Sequence, residues 1–404
     1  VVDASVEVTM QIEGFLDDLP ELDPVIYHEL TDYGWRGLTQ QGEVLEVKAS
    51  NGHAISVPSE IIVAQNGRRI GRRAVRSDMT VDIDDYLTHF NAVVSLYKDN
   101  RTDEALIESD ATLRAAPTLR AKFNRAMILL ASGRWAEGLH EYWQCEQHAP
   151  FMRPRAQTAL CAGIPAWKGE DLRGKRLLVL HAHGFGDTIM MLRYLPKLLA
   201  IGADVVLDVP PELQRLTKRW PLHRFGVDYF CPILHLLRWL DVTPQNVDGS
   251  PYKSVERMLA NDWHIKIGLK GRKRVGIAWS IGKPSDGDYP REVPLAQLVA
   301  ALGDAELHSV QVQGVDEARA LGVHVHEFED FADCAALMMT LDEIVSVDTA
   351  ALHLAGAIGH PRVYGLLSYW ASWRWIAPWY SNVRLCRQAV AGDWSSALAQ
   401  IHAS

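Results

Sequence analysis

Two short stretches of the chain bring together residue types that do chemistry. The first, HAHGFGDT (181–188), follows the apolar run RLLVL (176–180). A turn holding Gly184 and Gly186 at the end of a buried strand suits a phosphate, because backbone N–H groups at a helix start can approach the anion closely. Asp187 then stands directly after the second glycine, where a phosphate would least welcome it. One reading of Asp187 is a plain helix N-cap; the other is a chemical role for its carboxylate.

The second stretch is VSVDTAALHLAGAIGHP (345–361). A strand ends at Val347, Asp348 and Thr349 can cap the helix that follows, and Gly359 with Pro361 closes it. The small side chains of Ala350 and Ala351 leave the first-turn N–H groups open, which makes an anion site supported by the helix dipole. His353 lies one turn on, on the face of Thr349. The competing reading is a tightly packed strand–helix crossover with a capped helix and a satisfied histidine. Two loops would face the same way in a doubly wound domain. AWSIGKPSDGDYPRE (278–292) carries Lys283 and Arg291, either of which could neutralise a diphosphate, and VQVQG (310–314) ends a strand with Gln311 and Gln313 at its carboxyl edge. Asp286-Gly287-Asp288 has the form of a divalent-metal site, but in a Gly/Pro-rich loop it reads as a turn, and no metal is expected.

These residues need elements to position them. From about 172 onward strands alternate with helices: KRLLVLHA, then a helix over 187–202, then ADVVLDV (203–209), and a second series from KRVGIAWS (273–280) through LHSVQVQ (307–313) to residue 367. Such alternation implies parallel sheets covered on both faces. The fold class expected is α/β, two facing doubly wound, Rossmann-like domains with a ligand cleft between the carboxyl ends of their strands. Ahead of them, FNAVVSLYKDNRTDEAL (90–106) aligns without gaps onto FNRAMILLASGRWAEGL (123–139), each copy reading helix, turn, helix with a small residue (Ala105, Gly138) at the helix contact. This resembles the tetratricopeptide repeat, whose period is ~34 residues. Residues 1–80, with an acidic opening (16–24) and Asn-Gly pairs at 51–52 and 66–67, read as a small β-rich module built on hairpins. The boundaries expected are 1–80, 81–152 for the helical repeats, 153–265 and 266–404.

Composition bounds the partners. A chain of 404 residues with 48% hydrophobic and 23% charged residues is an ordinary globular protein of two or three domains. Its net charge of −9 speaks against a general nucleic-acid binder. Five scattered cysteines lack metal-ligand spacing and point to a reducing compartment. No apolar run approaches the ~20 residues of a membrane span and no signal-peptide pattern is present, so a cytoplasmic location is expected.

The run Asp348-Thr349, His353, Leu354-Ala355-Gly356-Ala357, Gly359 and Pro361 resembles the nucleotide-sugar site of the heptosyltransferase-like glycosyltransferases (glycosyltransferase family 9). It is closer still to their bacterial relatives that carry tetratricopeptide repeats, with a wider likeness to the O-GlcNAc-transferase-like B-type enzymes. Those relatives share GFGDT…LRYLP (184–196), RVGIAW (274–279), DFADCAAL (330–337), SWRWIAPWY (372–380) and Arg387-Gln388. The likeness covers roughly 86–404. It implies a two-domain glycosyltransferase of the B type, with a nucleotide-diphosphate sugar as co-substrate held by the C-terminal domain and the acceptor by the N-terminal one. No metal or cofactor is expected. The acceptor is left open between a protein, a saccharide and a small molecule, the repeats favouring a polypeptide or other large one. The likeness also implies that Asp187 is the general base for an acceptor hydroxyl, which puts Gly184 and Gly186 on the acceptor side. His181 and His183 flank that turn and read either as helpers of the hydroxyl or as plain loop residues. Asp348, Thr349, Ala350, His353, Lys283, Arg291, Gln311 and Gln313 would bind the donor. A carboxylate kept ionised at a helix N-terminus is poor beside a phosphate and good beside a hydroxyl. Cys334 stands where the relatives commonly carry Thr, and the loop after Trp279 is not a close copy of theirs. Trp370, Trp373, Trp375 and Trp379 are expected to pin the C-terminal helix rather than to stack on a ligand.

Two readings from other classes remain. GFGDTI begins like a dinucleotide fingerprint, with Asp208 ending the next strand, which would suit an NAD(P)-dependent oxidoreductase; but Ile189 replaces the third glycine and Asp187 would oppose the pyrophosphate. A tetratricopeptide scaffold that binds peptides through a degenerate transferase domain is the other.

Overall fold

The computed structural model describes the strands and helices between residues 25 and 87 by their backbone. Side chains are described for residues 88–115, 120–145, 161, 163–222, 226–269, 271–281, 291–370 and 372–402, and the helix ends at 119 and 146–148 by backbone. Lys283, Asp286 and Asp288, the acidic opening at 16–24 and both Asn-Gly pairs lie outside the described residues. The chain divides into two compact units, Val1–Ala159 and Leu160–Ser404.

Among the described residues of the first unit, seven strands run β1 (Val25–Thr31), β2 (Gly34–Thr39), β3 (Glu43–Lys48), β4 (Ala54–Ser56), β5 (Glu60–Gln65), β6 (Arg68–Ala74) and β7 (Thr80–Asp82). Five form an antiparallel sheet in the order β1-β2-β3-β5-β6, and β4 pairs with β7. Gln65 sits opposite Arg68 across the second Asn-Gly pair. The strands flanking the first pair, β3 and β4, belong to different sheets.

Four helices follow: α1 (Ile83–Lys98), α2 (Thr102–Ala115), α3 (Leu119–Ala131) and α4 (Trp135–His148). The repeat seen in the sequence returns as geometry. The N–H of Arg101 donates to Leu96 O and that of Arg134 to Leu129 O, both at 2.9 Å, closing each inter-helix turn in the same way. Arg101 pairs with Glu104 and Arg134 with Glu137, each at 2.5 Å. The small residues have a packing cause: Ala105 is fully buried beside Val93 and Ile128, and a Cβ on Gly138 would lie 2.8 Å from Leu130 Cγ.

The second unit opens with β8 (Arg176–Leu180), α5 (Phe185–Met191), α6 (Leu195–Ala200), β9 (Asp204–Asp208), α7 (Pro211–Gln214), β10 (Tyr229–Pro232) and α8 (Leu236–Trp239). Its first sheet has three parallel strands in the order β10-β8-β9. The single helix expected over 187–202 is instead two, with a 3-10 turn at Leu192–Tyr194 between them. Pro196 in the first turn of α6 is the reason, since it lacks an N–H and its ring would clash with the carbonyl of Leu192 in a continuous helix.

Next comes α9 (Arg257–Ile267), within which the expected boundary at 265 falls. The second series is β11 (Arg274–Ala278), α10 (Leu295–Leu302), β12 (Glu306–Ser309), α11 (Val315–Ala320), α12 (Phe331–Met338), β13 (Glu343–Val347), α13 (Ala350–Ala357), β14 (Val363–Leu367), β15 (Val383–Arg387) and α14 (Ser395–Leu398). Its sheet is parallel throughout, in the order β12-β11-β13-β14-β15. Every residue of β11 and β13 is buried, as a parallel sheet covered on both faces requires. Val275, Ile277, Leu298, Val345, Val347 and Leu366 form much of the core beneath it. Trp279 and Trp394 lie in that core with Ala397 of α14. Among the described residues no helix is long and apolar enough to cross a membrane.

Candidate functional site

The carboxyl ends of β8 and β13 each feed a helix, and the two helix starts meet. α5 begins after Gly184, whose extended backbone (φ −103°, ψ 165°) serves as N-cap without a side-chain bond. The turn before it is tight enough to hold His183 at φ +61°, a left-handed conformation that a non-glycine residue adopts at a cost. Gly186, in the first turn of α5, lies against α13: a Cβ built there would stand 2.8 Å from His353 Cδ2 and 3.4 Å from Ala350 Cα. A residue without a side chain is what lets the two helices approach so closely.

Asp187 is therefore carried to the seam between α5 and α13, where it is 8% exposed. Arg374, from the 3-10 turn Trp373–Ile376 that follows β14, holds both of its oxygens, Nε to Oδ1 at 2.5 Å and Nη2 to Oδ2 at 3.0 Å. Burial by itself pushes this carboxyl up. The Arg374 charge and hydrogen bonds, helped by His183 and His353, outweigh burial and hold it below the usual carboxylate range. Behind it, Thr188 Oγ1 lies 2.7 Å from His181 Nδ1. The exposed ring of His183 and the open backbone of Gly184 form the outer lip of the turn.

On the opposing side Thr349 is the N-cap of α13, in extended backbone and without a side-chain cap; its hydroxyl sits 3.1 Å from Ser346 Oγ instead. Asp348, 7% exposed, lies 3.6 Å from Arg291 Nη1 through Oδ2 and 3.9 Å from His353 Nε2 through Oδ1. His353 is buried, stacked on Trp375 at 5.0 Å between ring centres, with Nδ1 3.0 Å from Tyr380 Oη. Burial pushes its imidazole down to about 4 against the pull of Asp348 and Asp187, so the ring is neutral at ordinary pH. Arg387, at the end of β15, is lowered by burial and supported by the charge of Asp348.

The structure thus gathers Gly186, Asp187, Asp348, Thr349, Ala350, His353 and Arg291 around one seam. Gln311 and Gln313 behave otherwise. β12 ends at Ser309, two residues short of Gln311. The Gln311 amide is spent on the backbone, accepting from the N–H groups of Trp279 (2.8 Å) and Ser280 (3.1 Å) and donating to Gln313 O (2.9 Å). It shapes the loop after β11. Gln313 is exposed. In the tryptophan-rich segment Trp375 stacks on His353, and Trp379 donates from Nε1 to Arg374 O. Arg374 is the residue that sequence reasoning passed over, because the aromatic residues around it signal packing and a lone arginine among them carries no motif. Arg193 is a second, set against the rings of Tyr252 (4.6 Å), Tyr380 (4.8 Å) and Trp379 (5.5 Å). Among the described residues no group of His, Cys, Asp and Glu has an arrangement that could hold a metal ion.

No family model matches the chain. Protein FlbA of Caulobacter vibrioides is 25% identical over 351 residues, which are 74% of this chain and 58% of that protein. This chain therefore spans a little over half the length of the curated relative it matches. Two solved structures are similar in part. The glycosyl transferase family 9 structure from Veillonella parvula aligns with 54% of this chain and 87% of its own, at 11% identity and a TM-score of 0.41. The E. coli ADP-heptose lps heptosyltransferase II structure aligns with 56% of this chain and 94% of its own, at 14% identity and a TM-score of 0.42.

Proposed function

We propose that the chain is a metal-independent glycosyltransferase of the two-lobed B type, moving a sugar from a nucleotide-diphosphate sugar to an acceptor hydroxyl. The observation that carries this reading is the meeting of two helix starts. One presents an ionised, buried carboxylate, Asp187, and the other presents the uncapped N-terminus of α13. A carboxylate suits a hydroxyl proton and an open helix N-terminus suits a diphosphate, so the pair matches the two ends of a displacement at an anomeric carbon. Asp187 takes the acceptor proton while the acceptor oxygen bonds to the anomeric carbon and the bond to the diphosphate oxygen breaks. Charge growing on the leaving diphosphate is met by the first-turn N–H groups of α13 and by Arg291 or Lys283. The sequence likeness over 184–196, 348–361 and 372–380 points the same way. In this reading the 153–265 segment faces the acceptor, the 266–404 segment holds the donor, and the helices α1–α4 are tetratricopeptide-like repeats that receive a polypeptide or other large acceptor in a cytoplasmic enzyme.

Thermal unfolding against UDP-, GDP-, ADP-, CMP- and dTDP-linked sugars, with NAD and NADP alongside, tests it. A ligand at 100 times its dissociation constant stabilises by ~2.7 kcal/mol. One nucleotide-sugar class should raise the Tm in the wild type and in Asp187→Asn, and not in His353→Ala. No shift with any nucleotide sugar would turn the reading to a scaffold, and a shift with NAD alone to an oxidoreductase.

A further inference from the structure

The ion pair between Asp187 and Arg374 takes the reading above, on which it rests, one step further. Asp187 belongs to the lobe of β8 and Arg374 to the lobe of β14, so the candidate base and its nearest cation come from different sheets. We propose that Arg374 is the positioning residue for Asp187, fixing the orientation and charge of the carboxylate so that the base is assembled from both lobes.

Four observations support this. The contact is two-pointed, 2.5 and 3.0 Å, the planar fork-on-carboxylate arrangement that sets an angle as well as a distance. It uses two of the roughly four lone-pair directions of a carboxylate and leaves the other edge for an acceptor hydroxyl. Second, a carboxylate this buried would neutralise without a charge partner. The groups facing it are His181 and His183 from its own turn, His353 from α13 and Arg374. Among these described groups Arg374 alone carries its charge at every working pH. Third, Arg374 is itself held. Its carbonyl accepts from Trp379 Nε1, its N–H and Nη1 each reach Ser372 Oγ at 3.4 Å, and its guanidinium lies 4.9 Å from the ring of Trp373. Fourth, Trp373 and Trp379 are 3% and 1% exposed, so this support lies in packed structure. The tryptophan-rich run thereby gains a task that stacking on a sugar would not explain: it aims one guanidinium across the seam.

The test compares wild type, Arg374→Gln and Arg374→Lys in two ways. Protein labelled with 13C at the aspartate Cγ is titrated by NMR, the Asp187 signal being the one missing in Asp187→Asn, and the pH profile of kcat/KM is recorded with the donor found by thermal shift. In Arg374→Gln the Asp187 midpoint should rise by about one unit or more and the acid limb of kcat/KM should rise with it. kcat should fall on the order of 10²-fold as the carboxylate loses its alignment. Arg374→Lys should keep the midpoint low while recovering part of kcat, and it serves alone if the Gln variant does not fold. An unmoved midpoint and limb, with the loss in nucleoside-diphosphate affinity or KM instead, would overturn the proposal and assign Arg374 to the donor. If the wild type transfers no sugar at all, the glycosyltransferase reading fails. The NMR midpoint then decides separately, an upward shift in Arg374→Gln supporting the hold of Arg374 on Asp187 and an unmoved one overturning it.

Discussion

The two strand–turn–helix units that meet at the seam each offer a buried carboxylate, and they hold it in opposite ways. Asp187 sits inside the first turn of α5 and is gripped at both oxygens by Arg374. Asp348 sits just before α13, with its nearest cation at 3.6 Å and an imidazole at 3.9 Å. A short bidentate pair fixes an angle, whereas long single contacts are readily exchanged for a better anion. Under the proposed reaction, the contrast would separate a carboxylate that acts on the acceptor from one that keeps a cation and a helix mouth in place for the diphosphate.

The largest expected effect tests that division directly. Asp187→Asn should lower transfer by ~10² to 10⁴-fold while leaving nucleotide-sugar binding intact, because only the proton acceptor is lost. Asp348→Asn should change kcat/KM by about tenfold or less, the worth of one long charge contact. Steady-state kinetics on the two variants checks both. Equal losses would erase the distinction between the two carboxylates.

Much of this site is legible in the sequence, and the exceptions have a shared cause. Gly184, Gly186 and Asp187, and Asp348 to His353, are contiguous along the chain, and the strand that aims each run is a plain apolar stretch. Local pattern therefore suffices to find them. The parallel sheets are legible for the same reason, since buried strands alternating with helices leave few alternatives. Arg374 reaches Asp187 across nearly half the chain, and nothing local marks it. Gln311 misleads for the converse reason. A polar side chain at a strand end looks free to bind, yet the backbone of the neighbouring loop at Trp279 and Ser280 consumes its amide. The break after Met191 was readable from Pro196, but the amphipathic run of 187–202 hides it.

The glycines sharpen the comparison at the level of packing. Gly186→Ala adds a methyl 2.8 Å from a His353 ring that Trp375 and Tyr380 already fix, so overpacking of about 1–3 kcal/mol should exceed the ~1 kcal/mol by which alanine favours the helix. Gly184→Ala meets nothing within 4 Å and should cost only a few tenths of a kcal/mol at the N-cap. Denaturant unfolding of the pair measures the difference. If both are neutral, the two helices do not meet in solution as they do in the structure.

His353 offers a smaller, pH-dependent effect. Its folded imidazole is pushed down to about 4, while in the unfolded chain it titrates near 6.5. The unfolded state therefore binds the extra proton first, and the His353 contribution is fully present above about 6.5 and lost as pH falls toward 4. His308 and His326 are pushed down to similar values and share the trend, so the informative quantity is the difference between wild type and His353→Gln. The wild type should lose more Tm than the variant between pH 7.5 and 4.5. Parallel losses would mean that the ring is not buried neutral at the seam.

The smallest effect concerns Thr349. An N-cap threonine replaced by alanine typically costs ~1 kcal/mol, because its hydroxyl satisfies a first-turn N–H. Here the hydroxyl turns to Ser346 Oγ and no side-chain cap is made, so Thr349→Ala should cost about 0.5 kcal/mol or less. Asp330 at the start of α12 is the internal standard: it accepts from Asp333 N at 2.9 Å and pairs with Arg215, and Asp330→Ala should cost about 1 kcal/mol or more. The two helix starts differ because one is closed by its own side chain and the other is left open toward the seam. A Thr349→Ala loss as large as that of Asp330→Ala would mean that the hydroxyl caps α13 in solution. The first-turn N–H groups would then already have a partner, and the anion site at that helix mouth would have to be sought at Arg291 and Arg387 instead.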